Sequence, residues 1–461
     1  MTKNLFSFFS LFFFIINFTS AQCLITGADL SYVNTIEASG GVYQNGNGEV
    51  VDPFEYFAER GAGMVRMRLW HTPENLTSAC GQPISTNNLS DVIMAFKRAK
   101  NAGMQLNLAI HYGDYFNDPS KQKMPAAWQG LSHEILLDSI YRYTFTVLNK
   151  LNTENILPDV VAIGNETTGG FVDATANTDG WEWPQDAEKF NIGFKAVDDF
   201  NSANNSSVKK AVHFTDKTAA WLSGLFNENN ITNYDIIGLS FYPKWTEFNS
   251  IDEFGNLISD LKSTYQKEIM VFETGVPWTT DFADNYNNFM SDFGPLNYPV
   301  SPQGQKDFLM ALAQSVYENG ATALIYWEPA WISSNMCDLW GQGSSYENVS
   351  FFDFNNANQP LPAFDFFDFC SSVNNNNNLP KSFSINIFPN PNDNKELRIN
   401  SSEKIVSWEL IYLNGQVIEN GIFENNNTNY KITFEQDFIG IHYLKLKTSS
   451  GETFSKKINF K

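Results

Sequence analysis

The chain has 461 residues, is 43% hydrophobic and 15% aromatic, and carries a formal net charge of −21 with a pI near 4.6. That length holds one large α/β barrel and a modest second domain, with enough apolar side chains for a sizeable core and rings to spare for a surface cleft. The acidity argues against nucleic acid as a partner, because phosphate contacts need clustered Lys and Arg.

In chain order, Lys3 precedes an almost unbroken apolar run from Leu5 to Phe18, followed by Thr19, Ser20, Ala21 and Gln22. The run is shorter than the roughly 20 residues a bilayer span needs, and a small-residue cleavage site follows it, so residues 1–21 read as a secretory signal peptide. Cys23 raises a lipidated start as an alternative, but Gln22 before it fits that processing poorly. Cys23, Cys80, Cys337 and Cys370 all lie beyond the signal. In an oxidising compartment an even count implies two disulfides, and at this point three pairings are open.

From Leu24 to about Cys370 the chain alternates short apolar runs with amphipathic stretches. Strands are expected at Ile25 to Leu30, Met64 to Trp70, Met104 to His111, Val160 to Glu166, Lys210 to Thr215, Ile236 to Tyr242, Glu268 to Glu273 and Ala321 to Trp327. Helices are expected at Pro53 to Gly61, Ser90 to Gly103, Ser132 to Leu151, Gln185 to Phe200, Thr218 to Asn229, Ile251 to Tyr265 and Pro302 to Gly320, with Ser90 and Ser132 as N-caps. Eight strands alternating with helices predict a (β/α)8 TIM barrel over residues 22–372, with right-handed crossovers.

The carboxyl ends of such strands carry the chemistry. The fourth ends in Gly164, Asn165 and Glu166, and the seventh ends at Glu273 before Thr274 and Gly275. Two carboxylates on strand ends of one closed sheet are what glycosidic bond cleavage requires, one to protonate the leaving oxygen and one to attack or to activate water. The other wall positions are Arg66, Arg68, His111, Tyr112, Tyr242, Trp327 and Glu328. Arg66 and Arg68 alternate with apolar residues, so one facing the site and one facing outward is an open reading. No cluster has catalytic-metal spacing, Asp281 and Asp284 are too few for a calcium site, and no cofactor is assigned.

These residues sit in GADLSYVNTIEASGG (27–41), VRMRLW (65–70), DPSKQKMPAAW (118–128), IGNET (163–167), GLSFYPKW (238–245), VFETG (271–275) and YWEPAW (326–331). The set resembles glycoside hydrolase family 53, the arabinogalactan endo-β-1,4-galactanases, in order along nearly the whole barrel. The resemblance implies that Glu166 is the general acid/base and Glu273 the nucleophile, supported by Asn165, Arg68, His111 and Tyr242. It departs at Phe241, where the family often has a second tyrosine. Among tryptophans in loops after strands (Trp128, Trp181, Trp183, Trp245, Trp278, Trp331, Trp340), Trp245 and Trp331 are expected to touch substrate, together with Trp327 at the eighth strand's end.

Asn374 to Asn378 marks a linker, 373–380, after which alternating strands predict a small all-β sandwich over 381–461. Its FPNP (388–391), LNGQ (413–416) and GIHYLKL (440–446) resemble the C-terminal sorting domains of the type IX secretion system. A carbohydrate-binding module is the rival reading, but Trp408 alone offers little stacking surface.

Barrel geometry then narrows the cysteines. Cys23 and Cys370 fall at the amino-terminal face, and Cys80 and Cys337 in loops at the opposite face, so only the pairs Cys23–Cys370 and Cys80–Cys337 keep each bond on one face. With the expected signal peptide, the resemblance implies a secreted or cell-surface monomer that hydrolyses β-1,4-galactan with retention, its two carboxyls then expected about 5–5.5 Å apart. A clan-related β-mannanase or β-glucanase, or a non-catalytic polysaccharide-binding protein, are the alternatives.

Overall fold

All eight expected apolar runs form strands: β1 (Ile25–Asp29), β2 (Met64–Leu69), β3 (Gln105–Ile110), β4 (Val160–Ile163), β5 (Lys209–Thr215), β6 (Ile236–Ser240), β7 (Glu268–Glu273) and β8 (Ala323–Tyr326). They pair in parallel in sequence order, and β8 closes on β1 through Ile25 opposite Ala323. The computed structural model describes residues 23–174 and 180–370, and residues 385–460 apart from 390–391, 393–394, 402–403, 413–415, 424–428, 435 and 450–452. The expected signal peptide, the asparagine-rich linker and residues 413–415 of the LNGQ motif lie outside the described residues.

Both faces of these strands are buried, which is why they read as continuous apolar runs. Met64, Val160, Ala162, Ala211, Ile236, Met270, Phe272, Ala323 and Ile325 fill the lower barrel as one cluster. Side chains alternate faces along a strand, so Arg66 and Arg68 share the parity of inward-facing Met64. The reading with one arginine outward is corrected: both are fully buried inside the barrel.

The helices are α1 (Val33–Ala38), α2 (Pro53–Glu59), α3 (Leu89–Asn101), α4 (His133–Thr153), α5 (Gln185–Asn204), α6 (Ala219–Glu228), α7 (Ile251–Tyr265) and α8 (Pro302–Glu318). The sequence reading did not assign α1. Ser90 is not an N-cap, because α3 starts one turn position earlier and Asn88 accepts from the Asp91 amide at 2.8 Å. Ser132 does precede α4, without a side-chain cap bond. After β8 the place of an eighth outer helix is taken by the 3-10 turn Pro362–Asp368, which buries Phe364, Phe366 and Phe367.

The chain divides into two compact units after Cys370. In the second, a sheet of Ile385–Phe388, Glu396–Ser401 and Asn429–Thr433 and a sheet of Val417–Ile422, Ile405–Ile411, Gly440–Thr448 and Thr453–Phe460 are both antiparallel. Leu397, Ile399 and Ile432 of the first and Leu410, Leu444 and Ile458 of the second share one core, the sandwich expected from the alternation. Trp408 lies in that core at 8% exposure, so it presents no platform to a sugar.

Cys23 is bonded to Cys370 with Cα atoms 5.9 Å apart, and Cys80 to Cys337 at 6.1 Å. The first joins a cysteine two residues before β1 to one two residues after the 3-10 turn Pro362–Asp368. The second ties the loop after β2 to the loop after β8. Peptide mapping of the unreduced protein is expected to recover these two cross-linked pairs; a Cys23–Cys80 peptide, or four free thiols, is the contrary outcome.

Candidate active site

β4 stops at Ile163, three residues short of the expected end, because the backbone leaves the extended region at Gly164 (φ +91°). A Cβ on Gly164 would lie 2.7 Å from Thr167 Cγ2 and 3.0 Å from the Phe171 ring, so only glycine fits. Glu166 follows at φ +45°, a left-handed conformation that costs a side-chain-bearing residue about 1–3 kcal/mol. Its neighbours hold it there. The Gln122 amide donates to the carbonyls of Asn165 (2.9 Å) and Glu166 (3.2 Å), and the Thr167 amide donates to the His213 carbonyl at 3.0 Å.

On the other side of the barrel mouth, the β6–β7 register slips between Leu239 and Ser240, leaving Phe272 as the extra residue and Ser240 opposite Glu273. Such a bulge re-aims the next side chain. Glu273 accepts from Tyr242 Oη at 2.9 Å through one oxygen and meets Arg66 Nη1 at 2.9 Å through the other.

Arg66 is the hub. Its Nη1 also meets Asp29 Oδ2 at 2.7 Å, and its Nη2 donates to Asn165 Oδ1 at 2.7 Å. Asp29 is further held by the Ser31 hydroxyl (2.5 Å) and by Arg68 Nη1 (3.2 Å), while Arg68 Nη2 pairs with Glu328. Asn165 completes its bonds by donating to the Asn117 carbonyl at 2.9 Å and accepting from His213 Nδ1 at 3.0 Å.

The two glutamates therefore sit in different electrostatic surroundings. Burial, then the negative charge of Glu273, pushes the Glu166 carboxyl well above the usual carboxylate range. Burial also pushes Glu273 up, but the Arg66 guanidinium and the Tyr242 hydrogen bond oppose it. The pair holds its proton on Glu166 and its charge on Glu273.

Both face a cleft of about 750 Å³ lined by Arg68, Asn165, Ser240, Tyr242 and the rings of Phe116, Trp245, Phe289, Trp327, Trp331 and Trp340. Of the residues expected from sequence, Asn165, Tyr242, Trp245, Trp327 and Trp331 reach this cleft together with both glutamates. Arg68 reaches it too, but the contact to Glu273 is made by Arg66. His111 does not line the cleft: it is fully buried, and its Nδ1 accepts from the Asn117 amide at 3.1 Å, bracing the loop whose carbonyl holds Asn165. Trp331 is 3% exposed, packed on Tyr32 with ring centroids 4.5 Å apart, whereas Trp245 and Trp340 are 45% and 61% exposed. Trp340, not among the rings expected to touch substrate, is thus largely exposed at the cleft. Trp128, Trp181, Trp183 and Trp278 are engaged with other rings. Asp29, His213 and Ser240 were missed; their strand parity, shared with Arg66 and the inward apolar cluster, was the available signal.

A match to the model of glycosyl hydrolase family 53 runs from residue 25 to 367, the whole barrel. The chain belongs to that family. Family 53 relatives include the arabinogalactan endo-β-1,4-galactanase of Cellvibrio japonicus, 40% identical over 74% of this chain and 89% of the relative, and the endo-β-1,4-galactanase of Bacillus subtilis, 32% identical over 76% and 86%. Among solved structures, the Ignisphaera aggregans family 53 catalytic domain is 31% identical with a TM-score of 0.67, covering 75% of this chain and 96% of that one. Residues 386–461 match the secretion system C-terminal sorting domain, which marks this family 53 enzyme for export.

Removing the hub tests its weight. Arg66→Met leaves buried Asp29 without its closest cation and is expected to lower unfolding free energy in denaturant by about 3–5 kcal/mol. Arg60→Met, which breaks a half-exposed pair with Asp365, is expected to change it by less than about 1 kcal/mol. Equal effects would remove Arg66 from its central place.

Proposed function

We propose that this protein is an exported endo-β-1,4-galactanase that acts on the galactan side chains of pectic arabinogalactan with retention of anomeric configuration. One observation carries the catalytic assignment: Glu273 is gripped by Arg66 and Tyr242, which favours its ionised form, while burial and the charge of Glu273 push the Glu166 carboxyl well above the usual carboxylate range. The names of the family 53 relatives supply the substrate.

In the first step a Glu273 oxygen attacks the anomeric carbon, the bond from that carbon to the leaving sugar's oxygen breaks, and the Glu166 proton passes to that oxygen. Loss of charge on Glu273 then weakens its hold on Arg66. In the second step Glu166, now a carboxylate, takes a proton from water as the water attacks the same carbon and the ester to Glu273 breaks. Asn165, fixed between Asn117, Arg66 and His213, presents its amide beside the reacting centre. Exposed Trp245, stacked on Phe289 with planes 13° apart, offers a platform for a sugar ring. Residues 1–21 act as the signal peptide, and the C-terminal sandwich addresses the folded chain to a secretion machinery.

A panel of β-linked polysaccharides against the purified protein is expected to show hydrolysis of galactan with the β-anomer released first, and Glu166→Ala and Glu273→Ala are each expected to lose at least about 10³-fold in kcat. Initial release of the α-anomer contradicts retention, and activity on mannan with none on galactan selects the clan-related reading.

The ring platforms have their own readout. Trp245→Ala is expected to raise KM for polymer about 10-fold, and unfolding in denaturant should move little because the ring is nearly half exposed. Unchanged kinetics would take Trp245 out of the substrate path.

A further inference from the structure

The segment that carries Glu166 is gripped from the loop after β3. Gln122 there is fully buried, and its amide nitrogen donates to three main-chain carbonyls, those of Asn165 at 2.9 Å, Asp118 at 3.1 Å and Glu166 at 3.2 Å. A carbonyl can only accept, so the nitrogen and not the oxygen of the side chain has to face this cluster. The Asn165 carbonyl belongs to the peptide before the Glu166 Cα, and the Glu166 carbonyl to the peptide after it. One nitrogen therefore holds the planes on both sides of a single Cα. In an extended chain successive carbonyls point to opposite sides, so one donor reaches both only where the residue between them has left the extended region. Glu166 has done so, at φ +45°.

Gln122 is itself anchored. The Asp173 amide donates to its carbonyl at 2.7 Å and the Met124 amide to the Asp173 carbonyl at 2.8 Å, a parallel bridge that ties the far end of the Glu166 segment to the same loop. Thr168 Oγ1 adds a bond to the Pro119 carbonyl at 3.1 Å, and Asn165 Nδ2 one to the Asn117 carbonyl at 2.9 Å. The type of donor matters as well as its place. A lysine or arginine could also donate to the carbonyls but would set a cation beside an acid that has to start protonated, whereas the glutamine amide grips without charge.

We propose that Gln122 is a positioning residue for the acid/base: by pinning the peptide planes on both sides of Glu166, it sets the line along which that carboxyl delivers its proton to the leaving oxygen. Without the clamp Glu166 relaxes towards negative φ, which swings its Cα–Cβ bond and carries the carboxyl off that line. Glu273 is held separately, by Arg66 from β2 and by Tyr242 after β6, so the attack on the anomeric carbon keeps its geometry. Loss of the clamp slows proton delivery and spares the nucleophile.

Because this role presupposes that Glu166 is the acid/base, Gln122 and Glu166 variants are compared on two substrates. kcat/KM reports the steps up to the covalent glycosyl-enzyme, and in those steps a dinitrophenolate departs without a proton whereas a galactosyl oxygen needs one. Gln122→Met, close to glutamine in shape but without a donor, is expected to lose about 10- to 100-fold in kcat/KM on β-1,4-galactan and less than about 3-fold on dinitrophenyl β-galactobioside. A purely structural role lowers both alike, and the ratio of the two does not depend on how much of a preparation is folded. Gln122→Asn, which keeps a neutral amide one methylene short, is expected to show a smaller split in the same direction and carries the comparison if Gln122→Met does not fold. Equal losses on both substrates, or no loss on galactan, overturn the proposal. Glu166→Ala is expected to show the widest split; if it loses both substrates alike, the acid/base reading itself falls, whatever Gln122→Met does.

Discussion

A guanidinium with no exposure to water has to be met by anions or oxygens on every side it can reach, and Arg66 organises the upper barrel by that requirement. Asp29 from β1, Asn165 after β4 and Glu273 from β7 converge on its two terminal nitrogens within 2.9 Å. A single side chain from β2 so fixes groups from three other strands, and it does so at the level where the apolar cluster of the lower barrel gives way to polar residues. The same contact that stabilises the buried charge selects which glutamate is ionised. Structure and reactivity share one ion pair here, which is why the site cannot be separated from the core beneath it.

The strand positions were legible because a parallel barrel strand buries both faces and leaves an apolar run in the sequence. What that signal does not carry is where a strand stops. β4 was read through to Glu166, yet Gly164 and Glu166 lie in the left-handed region, and β8 starts at Ala323, two residues later than the apolar run. The start of α3 failed for a local reason: Ser90 and Asn88 are both good caps, and only the backbone geometry shows that Asn88 is used.

Within the site, the two glutamates and Asn165 were readable from strand-end chemistry and the family's motifs. Arg68 rather than Arg66 was expected beside the glutamates, although their equal parity puts both inside and Arg66 makes the contact to Glu273. Their roles divide by depth: Arg66 is one residue pair lower and meets the centre, whereas Arg68 serves Asp29 and Glu328 beneath the ring of Trp327. Aromatic placement was the least legible part. Seven loop tryptophans are equivalent in sequence, and only packing separates buried Trp331 from the open faces of Trp245 and Trp340.

The Cys23–Cys370 bond has a mechanical meaning. Cys23 and Cys370, 347 positions apart in sequence, are joined by one disulfide, so the chain from one to the other forms a covalent ring. Tension applied between Cys23 and Cys370 runs through the two sulfurs and never enters a barrel strand. The load path bypasses the catalytic core. A pull on the tail can strip the C-terminal sandwich while the eight strands carry no force, and only reduction of that one bond would put β1 and β8, the pair that closes the barrel, into shear.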